Sequence, residues 1–447
     1  MTRGRASFEL EQLVTLVTET SLESADESAL RFVLGDFLAC IAAESGTNER
    51  ADTSPRYSAV GVDGVVSALT VRSCLGDRDD IDWRGLVHPG SIVWPVALAL
   101  SADRNASGPA LLAAAAAGYR ATTALAQLLG PKHSARHHPT AVAGAFGAAI
   151  TAGLLFELGR DELVAAAAHA ISAAGGLGQA SLERSRSMVF HRVAATSTGL
   201  HAARFAAQGF SGSRHVLDGP RGAIAILGAG AEAVDSRALT ELDLAPSGIS
   251  VRIYPVNGFV QAAVGLSADE GLRARDQESS AARDDASASD VDQIVVEIAP
   301  GAVALVSGEY GGDWWDVRSA VAAAYLSGDP FDLAMTPGAR ALRARVSVSA
   351  ADLPVGYGRL RITGASAGGA SLAGHAGAGE SVHRDATGSA TPPPGLDIGS
   401  QATSAMLAQK WNRLLGESGA AEQLHFEASA VLTEGGERAR RVLEAVA

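Results

Sequence analysis

The sequence predicts a mainly α-helical protein, in which one large helical domain carries a smaller α+β domain. Between residues 92 and 208, long alanine-rich segments follow one another with few β-branched residues, which is typical of closely packed helices. After about residue 245, apolar and polar residues alternate as they do in half-buried strands. Helical periodicity returns near the end of the chain. We therefore expect residues 1–245 and 396–447 to form the helical domain and residues 246–395 to form an α+β lid.

The expected elements of the helical domain begin with a helical segment from about residue 8 to residue 43. Residues 65–73 fit either a helix or a short extended run, and residues 74–87 form an irregular segment, here called the acidic loop. Gly, Asp or Asn residues then separate five predicted helices. These helices are expected at 92–103, 108–128, 140–157, 161–177 and 193–208.

The lid is expected to alternate strands with helices. The predicted strands are 249–254, 292–298 and 342–348, and the predicted helices are 260–273 and 317–326. Residues 364–394 are rich in Gly, Ala and Ser and are predicted to be a loop. Two C-terminal helices, at 400–415 and 435–446, are expected to return to the helical domain.

Composition narrows the class of protein. The 447 residues are 47 % apolar and 19 % charged, which suits a globular chain with a large core. A net charge of −13 argues against nucleic acid or an anionic membrane surface as the partner. The longest uncharged run, about 139–156, is short for a membrane span, and residues 1–5 do not resemble a signal peptide. We expect a cytoplasmic protein.

Two histidines stand out because each precedes a proline at the start of an apolar helix. His88 begins the segment His-Pro-Gly-Ser, and His138 lies in His-His-Pro-Thr. Proline suits a helix start, where backbone N–H groups have no intrahelical partner. Histidines held at the ends of rigid helices indicate a site. The sequence shows no Cys/His cluster with zinc-like spacing and no dinucleotide-binding glycine motif, so we expect neither a metal nor an organic cofactor.

Four segments, taken in order, resemble the MmgE/PrpD family, which includes 2-methylcitrate dehydratase, cis-aconitate decarboxylase and iminodisuccinate epimerase. The segments are 77–80 followed by 88–91, then 137–144, 191–195 and 252–255. The resemblance implies a helical domain with an α+β lid, a homodimer, a small-molecule substrate and no cofactor. It also implies that Asp77, His88 and His138 line the pocket. Either histidine would transfer a proton, and Asp77 would orient a histidine or act as a base.

The chain departs from the family pattern at three expected pocket positions. Two positions where the family has lysine carry Met188 and Arg252, and a later histidine position carries Asn257. The chain has only two lysines, Lys132 and Lys410, and both lie outside the matching segments. Local realignment therefore cannot restore the missing pair.

The replacement residues predict a changed pocket. Arg252 can bind a carboxylate through two parallel hydrogen bonds, and Arg184 or Arg186 could supply the charge that is lost at Met188. Methionine neither donates a proton nor binds an anion, so the pocket is expected to be more apolar there. His191 fits either a pocket position or the packed core.

These observations lead to three hypotheses for the function. The first is a lyase that dehydrates or decarboxylates a small to medium carboxylated or carbonyl substrate, specialised rather than acting on a tricarboxylate of central metabolism. The second is an isomerase or cyclase of secondary metabolism that uses the rebuilt pocket. The third is an inactive paralogue that acts as a binding or partner protein.

Overall fold

The computed structural model describes residues 10–46, 61–228, 237–277, 291–306, 316–363, 384–385, 401–416 and 420–446. Helices dominate these ranges, so the prediction of a mainly α-helical protein is confirmed. The helices are α1 Leu10–Glu19, α2 Ser24–Gly46, α3 Gly61–Cys74, α4 Gly90–Arg104, α5 Gly108–Ser134, α6 Pro139–Leu155, α7 Arg160–Ala173, α8 Gln179–Leu182, α9 Ser187–Ala207, α10 Ala223–Leu227, α11 Arg237–Thr240, α12 Gln261–Gln277, α13 Pro300–Val306, α14 Val317–Ser327, α15 Pro337–Arg343, α16 Gln401–Leu415, α17 Ala420–Glu434 and α18 Gly436–Val446. The strands are β1 Asp80–Ile81, β2 Ser250–Val251, β3 Gln293–Ile298, β4 Val346–Ala350, β5 Gly358–Thr363 and β6 Arg384–Asp385.

Contacts between residues divide the chain into two compact units. The first unit comprises residues 1–181, 185–251 and 395–447, and the second comprises residues 182–184 and 252–394. Segments from both halves of the chain therefore belong to the first unit, and the second unit begins again at Arg252. Among the described residues, no helix combines the length and apolarity needed to cross a bilayer.

Local signals explain where the helices of the first unit begin and end. Ser107 caps α5 by accepting a hydrogen bond from the Ala110 N–H at 3.3 Å. The Glu162 carboxylate accepts from the Gly159 N–H at 2.8 Å and so holds the start of α7. Helix α4 is followed by Asn105 as its C-cap, whose φ of 54° lies in the left-handed region that Asn tolerates.

Helices α5 and α6 pack so closely that glycines on each helix receive threonines of the other. A Cβ atom added at Gly118 would lie 2.0 Å from Thr151 Oγ1, and one added at Gly147 would lie 2.0 Å from Thr122 Oγ1. Nearly all of α6 is buried, including Phe146 at 0 % exposure. The alanine- and glycine-rich composition therefore brings the two backbones together and fixes the position of the N-terminus of α6.

Replacing Gly118 by Ala is expected to lower the free energy of unfolding by about 1–3 kcal/mol, because the new methyl group would overlap Thr151. The matched control is Gly301→Ala in α13, where an added Cβ meets nothing within 4 Å. That control should be neutral or slightly stabilising, because Ala has the higher helix propensity. Urea unfolding midpoints compare the variants. Equal midpoints for Gly118→Ala and wild type would contradict the close packing.

The second unit is built on a four-stranded sheet in the order β4-β3-β5-β6, with β3 parallel to β4 and antiparallel to β5. The predicted strand at 292–298 and the helices near 260–273 and 317–326 are present. The predicted strand at 342–348 is wrong in its first half. Thr336 caps α15 by accepting from the Ala339 N–H at 3.2 Å, so Leu342 and Arg343 remain helical and β4 begins at Val346.

The strands at the edges of the second unit differ from the expectation. The predicted strand at 249–254 is reduced to β2, which pairs antiparallel with β1 of the acidic loop. Strand β5 was not predicted, and it pairs with β3 along its whole length. Apart from β6, the loop predicted at 364–394 lies outside the described residues.

Candidate active site

The acidic loop is held in place by its own carboxylates. The Asp82 carboxylate accepts hydrogen bonds from Arg84 Nε at 3.0 and 3.2 Å, from Arg84 Nη2 at 2.6 Å and from the Thr123 hydroxyl at 2.7 Å. The backbones of Asp82 and Val87 also exchange hydrogen bonds at 2.8 and 3.2 Å. Asp82 and Thr123 are buried, so these bonds are shielded from water. The loop therefore reaches His88 as a fixed segment.

His88 lies just before α4 with its ring oriented by the acidic loop. Its Nδ1 atom is 2.6 Å from the Asp80 carbonyl and 3.8 Å from Asp79 Oδ2. Because a carbonyl only accepts, Nδ1 carries the proton and Nε2 is the basic nitrogen. Burial, followed by the charge of Arg192, lowers the pKa of His88 to about 4, while Asp79 opposes the shift. His88 is therefore a neutral imidazole at neutral pH.

His138 occupies the N-cap position of α6, as the His-Pro order predicts. Its backbone N–H donates to the Gly176 carbonyl at 3.0 Å, and its own carbonyl accepts from the Ala141 N–H at 3.0 Å. The residue is only 6 % exposed. Burial, then the charge of Arg192, holds the pKa of His138 well below its ordinary value of 6.5. In the described part of the chain, its Nδ1 atom has no hydrogen-bond partner.

His191 faces His138 from helix α9. The two ring centroids are 5.5 Å apart, and the His191 Nδ1 atom is likewise buried without a partner among the described residues. Gly176, with a φ of 149°, lies between them. A Cβ atom at Gly176 would be 2.7 Å from Ala141 Cβ and 3.4 Å from His191 Nδ1. The positive φ and the contact with Ala141 both require glycine where the backbone passes the His191 ring and the His138 Cβ atom.

A buried ion pair lies beside the histidines. Arg192 Nη1 is 2.5 Å from Asp79 Oδ2 and 3.2 Å from Ser91 Oγ. The Ser91 hydroxyl in turn donates to the His88 carbonyl at 2.9 Å. Arg192 is 6 % exposed and Asp79 3 %. The pair thus joins the acidic loop, the start of α4 and helix α9.

Asp80 anchors the start of α4 from the opposite side. Its carboxylate accepts from the Tyr119 hydroxyl at 2.7 Å and from the Gly90 N–H at 2.9 and 3.1 Å. Burial and the neighbouring Asp79 raise the pKa of Asp80 to about 8, although the bonds from Tyr119 and Gly90 oppose that shift. A Cβ atom at Gly90 would lie 2.8 Å from Asp80 Oδ2, so this contact requires glycine.

The structure brings together three residues that the sequence predicted for the site, His88, His138 and His191. Asp77 is also buried, with a φ of 53°, and its N–H donates to the Cys74 carbonyl at 3.2 Å. The atoms nearest His88 Nδ1 belong to Asp80 and Asp79, two neighbours of Asp77 in the acidic loop. That Asp77 orients a histidine or acts as a base stays a prediction.

The other predicted residues are spread over the two units. Met188 is half-buried in the first turn of α9, and Arg186 is exposed at the N-cap of that helix. Arg184, Arg252 and Asn257 belong to the second unit. There Arg184 lies within electrostatic range of the Asp316 carboxylate, Arg252 is buried, and Asn257 caps a short 3₁₀ helix.

Sequence reasoning missed Arg192 and Lys410. Arg192 follows His191 directly and lies one helical turn after Met188, a spacing that places the two on one helix face. Lys410, which the sequence placed outside the matching segments, is 1 % exposed. Its Nζ atom donates to Asp36 Oδ1 at 2.5 Å and to the Arg78 carbonyl at 2.7 Å. This lysine therefore holds the acidic loop.

Residues 65–234 match the family described as MmgE/PrpD N-terminal domain. This segment of the chain is similar to the MmgE/PrpD N-terminal domain. The resemblance drawn from the ordered segments is confirmed over that range, which contains His88, His138 and His191, whereas the segment 252–255 lies outside it. No curated protein matches the chain significantly. The MmgE/PrpD family includes lyase-type enzymes such as 2-methylcitrate dehydratase. Among the described residues, no group of His, Cys, Asp and Glu is arranged to hold a metal ion.

Proposed function

We propose that this protein is a lyase that removes a proton from a carbon next to a carboxylate or carbonyl group. The observation that carries the proposal is the state of His138, which is buried, neutral and without a hydrogen-bond partner for Nδ1 in the described residues. A neutral imidazole carries a lone pair on one of its two ring nitrogens and acts as a general base at neutral pH. Its backbone bonds to Gly176 and Ala141 fix its position.

In a dehydration, His138 takes the proton from carbon, and the C–H electron pair becomes the new double bond. The leaving hydroxide must be protonated to depart as water. His138, protonated by the first step, can return that proton to the leaving hydroxide. The nearby charge of Arg192 stabilises the negative charge that develops on the substrate.

An isomerase or cyclase is the second candidate, and Met188 favours it. This half-buried methionine stands where the family resemblance implies a lysine, so the start of α9 offers an apolar side chain instead of a cation. Such an enzyme would use the same proton abstraction and return the proton to another carbon, with no loss of water or carbon dioxide.

The deciding experiment incubates the purified protein in D₂O with 2-methylcitrate, citrate, cis-aconitate and less charged hydroxy and keto acids. Ultraviolet absorbance and mass spectrometry detect elimination, and NMR detects deuterium at carbon. Loss of water or carbon dioxide supports the lyase. Deuterium at carbon in a product that has lost neither water nor carbon dioxide supports the isomerase. If a folded protein neither converts nor exchanges any compound of the panel, the proposed function is wrong.

The lowered pKa values of the histidines predict the pH dependence of the reaction. A base whose pKa lies below 6.5 stays deprotonated as the pH falls through that value. We therefore expect kcat/KM to remain level as the pH falls from about 8 through 6.5 and to decrease only well below that value. A pH–rate profile measured on the best compound of the panel checks this. An acid limb centred at pH 6.5 or higher would contradict the assignment of a buried neutral base.

A further inference from the structure

The Arg192 guanidinium is tethered at one nitrogen only. Nη1 makes both of its hydrogen bonds, to Asp79 and to Ser91. Nε and Nη2 donate to none of the residues that the structure describes. These two nitrogens form one edge of the planar guanidinium and present parallel N–H groups. That edge has the geometry that binds a carboxylate through two hydrogen bonds.

We propose that the Nε–Nη2 edge of Arg192 is a carboxylate-binding subsite of this chain. Asp79 and Ser91 hold the guanidinium from Nη1, and the carboxylate of the ligand binds along the opposite edge. That this carboxylate belongs to the substrate rests on the proposed function. That Arg192 binds a carboxylate does not depend on it. Arg192 then supplies the cation that the sequence expected from Arg184 or Arg186.

The position of Arg192 suits a ligand on this edge. The residue as a whole is only 6 % exposed, but Nε and Nη2 are not among the fully enclosed side-chain atoms, so the edge can be reached from outside. A carboxylate that binds there would satisfy both donors at once in surroundings that hold little other water. If Arg192 served only to pair with Asp79, two parallel hydrogen bonds from two guanidinium nitrogens to the carboxylate would be the strongest arrangement. In the structure, Nη1 is the one nitrogen that donates to Asp79.

The neighbours of Arg192 define the class of ligand. Both His88 and His138 are close enough for the Arg192 charge to lower their pKa values, so a carboxylate on Arg192 lies beside the proposed base. A bound anion would also offset that charge and raise the basicity of both imidazoles. Met188, one turn away on α9, adds an apolar side chain. The structure thus fits a carboxylate attached to a less polar carbon skeleton.

The test is isothermal titration of wild type and Arg192→Lys with crotonate, cis-aconitate and citrate as probes. Lysine keeps a positive charge for Asp79 but has no planar edge, so binding should weaken by about 10–100-fold. The matched control is Arg204→Lys, which lies on the same helix and pairs with Asp63 at 2.8 and 2.9 Å near the surface. The control should bind the probes as wild type does. Melting temperatures verify that both variants are folded.

Each outcome decides the inference. It is overturned if Arg192→Lys binds as tightly as wild type, if both lysine variants weaken equally, or if folded wild type binds none of the probes. These binding measurements need no turnover. Binding through Arg192 without any reaction in the substrate panel would leave the subsite in place and reject the proposed function. Turnover by an Arg192→Lys variant with unchanged KM would reject the subsite and leave the function in place.

Discussion

Replacing His138 by Asn is expected to lower kcat by about 10²–10⁴-fold while the protein stays folded. The loss follows from removal of the only group at the N-cap of α6 that can accept a proton from carbon. The fold should survive because Asn is a favoured N-cap residue. The structure also records no side-chain hydrogen bond of His138 to any described residue, so no such bond is broken. Turnover of the best compound from the panel and the melting temperature measure the two effects.

The control for this variant is His201→Asn. His201 lies on α9 with its side chain 67 % exposed, so its replacement should change neither turnover nor stability. A His138→Asn protein that is folded and fully active would remove His138 from the mechanism. In that case His88, whose Nε2 is the basic nitrogen, becomes the base, and His88→Asn should show the large loss instead.

The part of the site that could be predicted from sequence is the part that local chemistry determines. Pro139 fits the first turn of a helix, so His138 had to lie at the N-cap, and the structure places it there. The same argument places His88 just before α4. The alanine- and glycine-rich texture likewise predicted α5 and α6, because those helices are buried almost all round.

The partners of these histidines could not be predicted, because they come from distant parts of the chain. Asp79 and Arg192 are 113 positions apart, and Asp36 and Lys410 are 374 apart. In the sequence, each of these residues looks like an ordinary charged residue on the protein surface, where most charged residues lie. Only the packing of α9 and α16 against the helices around them shows that these charges are buried.

The two errors in the predicted strands have a different cause. Strand β5 was not predicted, and the strand predicted at 342–348 begins too early. Strand β5 contains Arg359 and Arg361, which reduce its apolar signal, but both arginines pair with Glu297 of β3. Cross-strand charge pairs of this kind stabilise a sheet without any hydrophobic pattern along one strand. Apolar and polar residues do alternate around residue 342. However, helix α15, which Thr336 caps at its start, extends as far as Arg343.

Replacing Lys410 by Met is expected to lower the free energy of unfolding by about 3–5 kcal/mol, because the Asp36 carboxylate would be buried without its counterion. The same change removes the hydrogen bond from Nζ to the Arg78 carbonyl at 2.7 Å. Arg78 lies between Asp77 and Asp79, so this bond ties α16 to the centre of the acidic loop. We therefore expect turnover to fall as well. Urea unfolding measures the loss of stability, and steady-state kinetics measures the loss of turnover.

The double variant Asp36→Asn/Lys410→Met separates the two roles of this lysine. Neutralising both partners removes the unpaired buried charge, and Asn can still accept the hydrogen bond that Trp411 Nε1 donates to Asp36 at 3.0 Å. Most of the stability should therefore return. The tether to the Arg78 carbonyl stays broken, so hydrogen exchange in the acidic loop should remain faster than in wild type and turnover should remain low. Recovery of exchange protection and turnover together with stability would mean that Lys410 only neutralises Asp36. Persistence of both defects in a stable protein would mean that a lysine far from the histidines in sequence holds the loop that orients them.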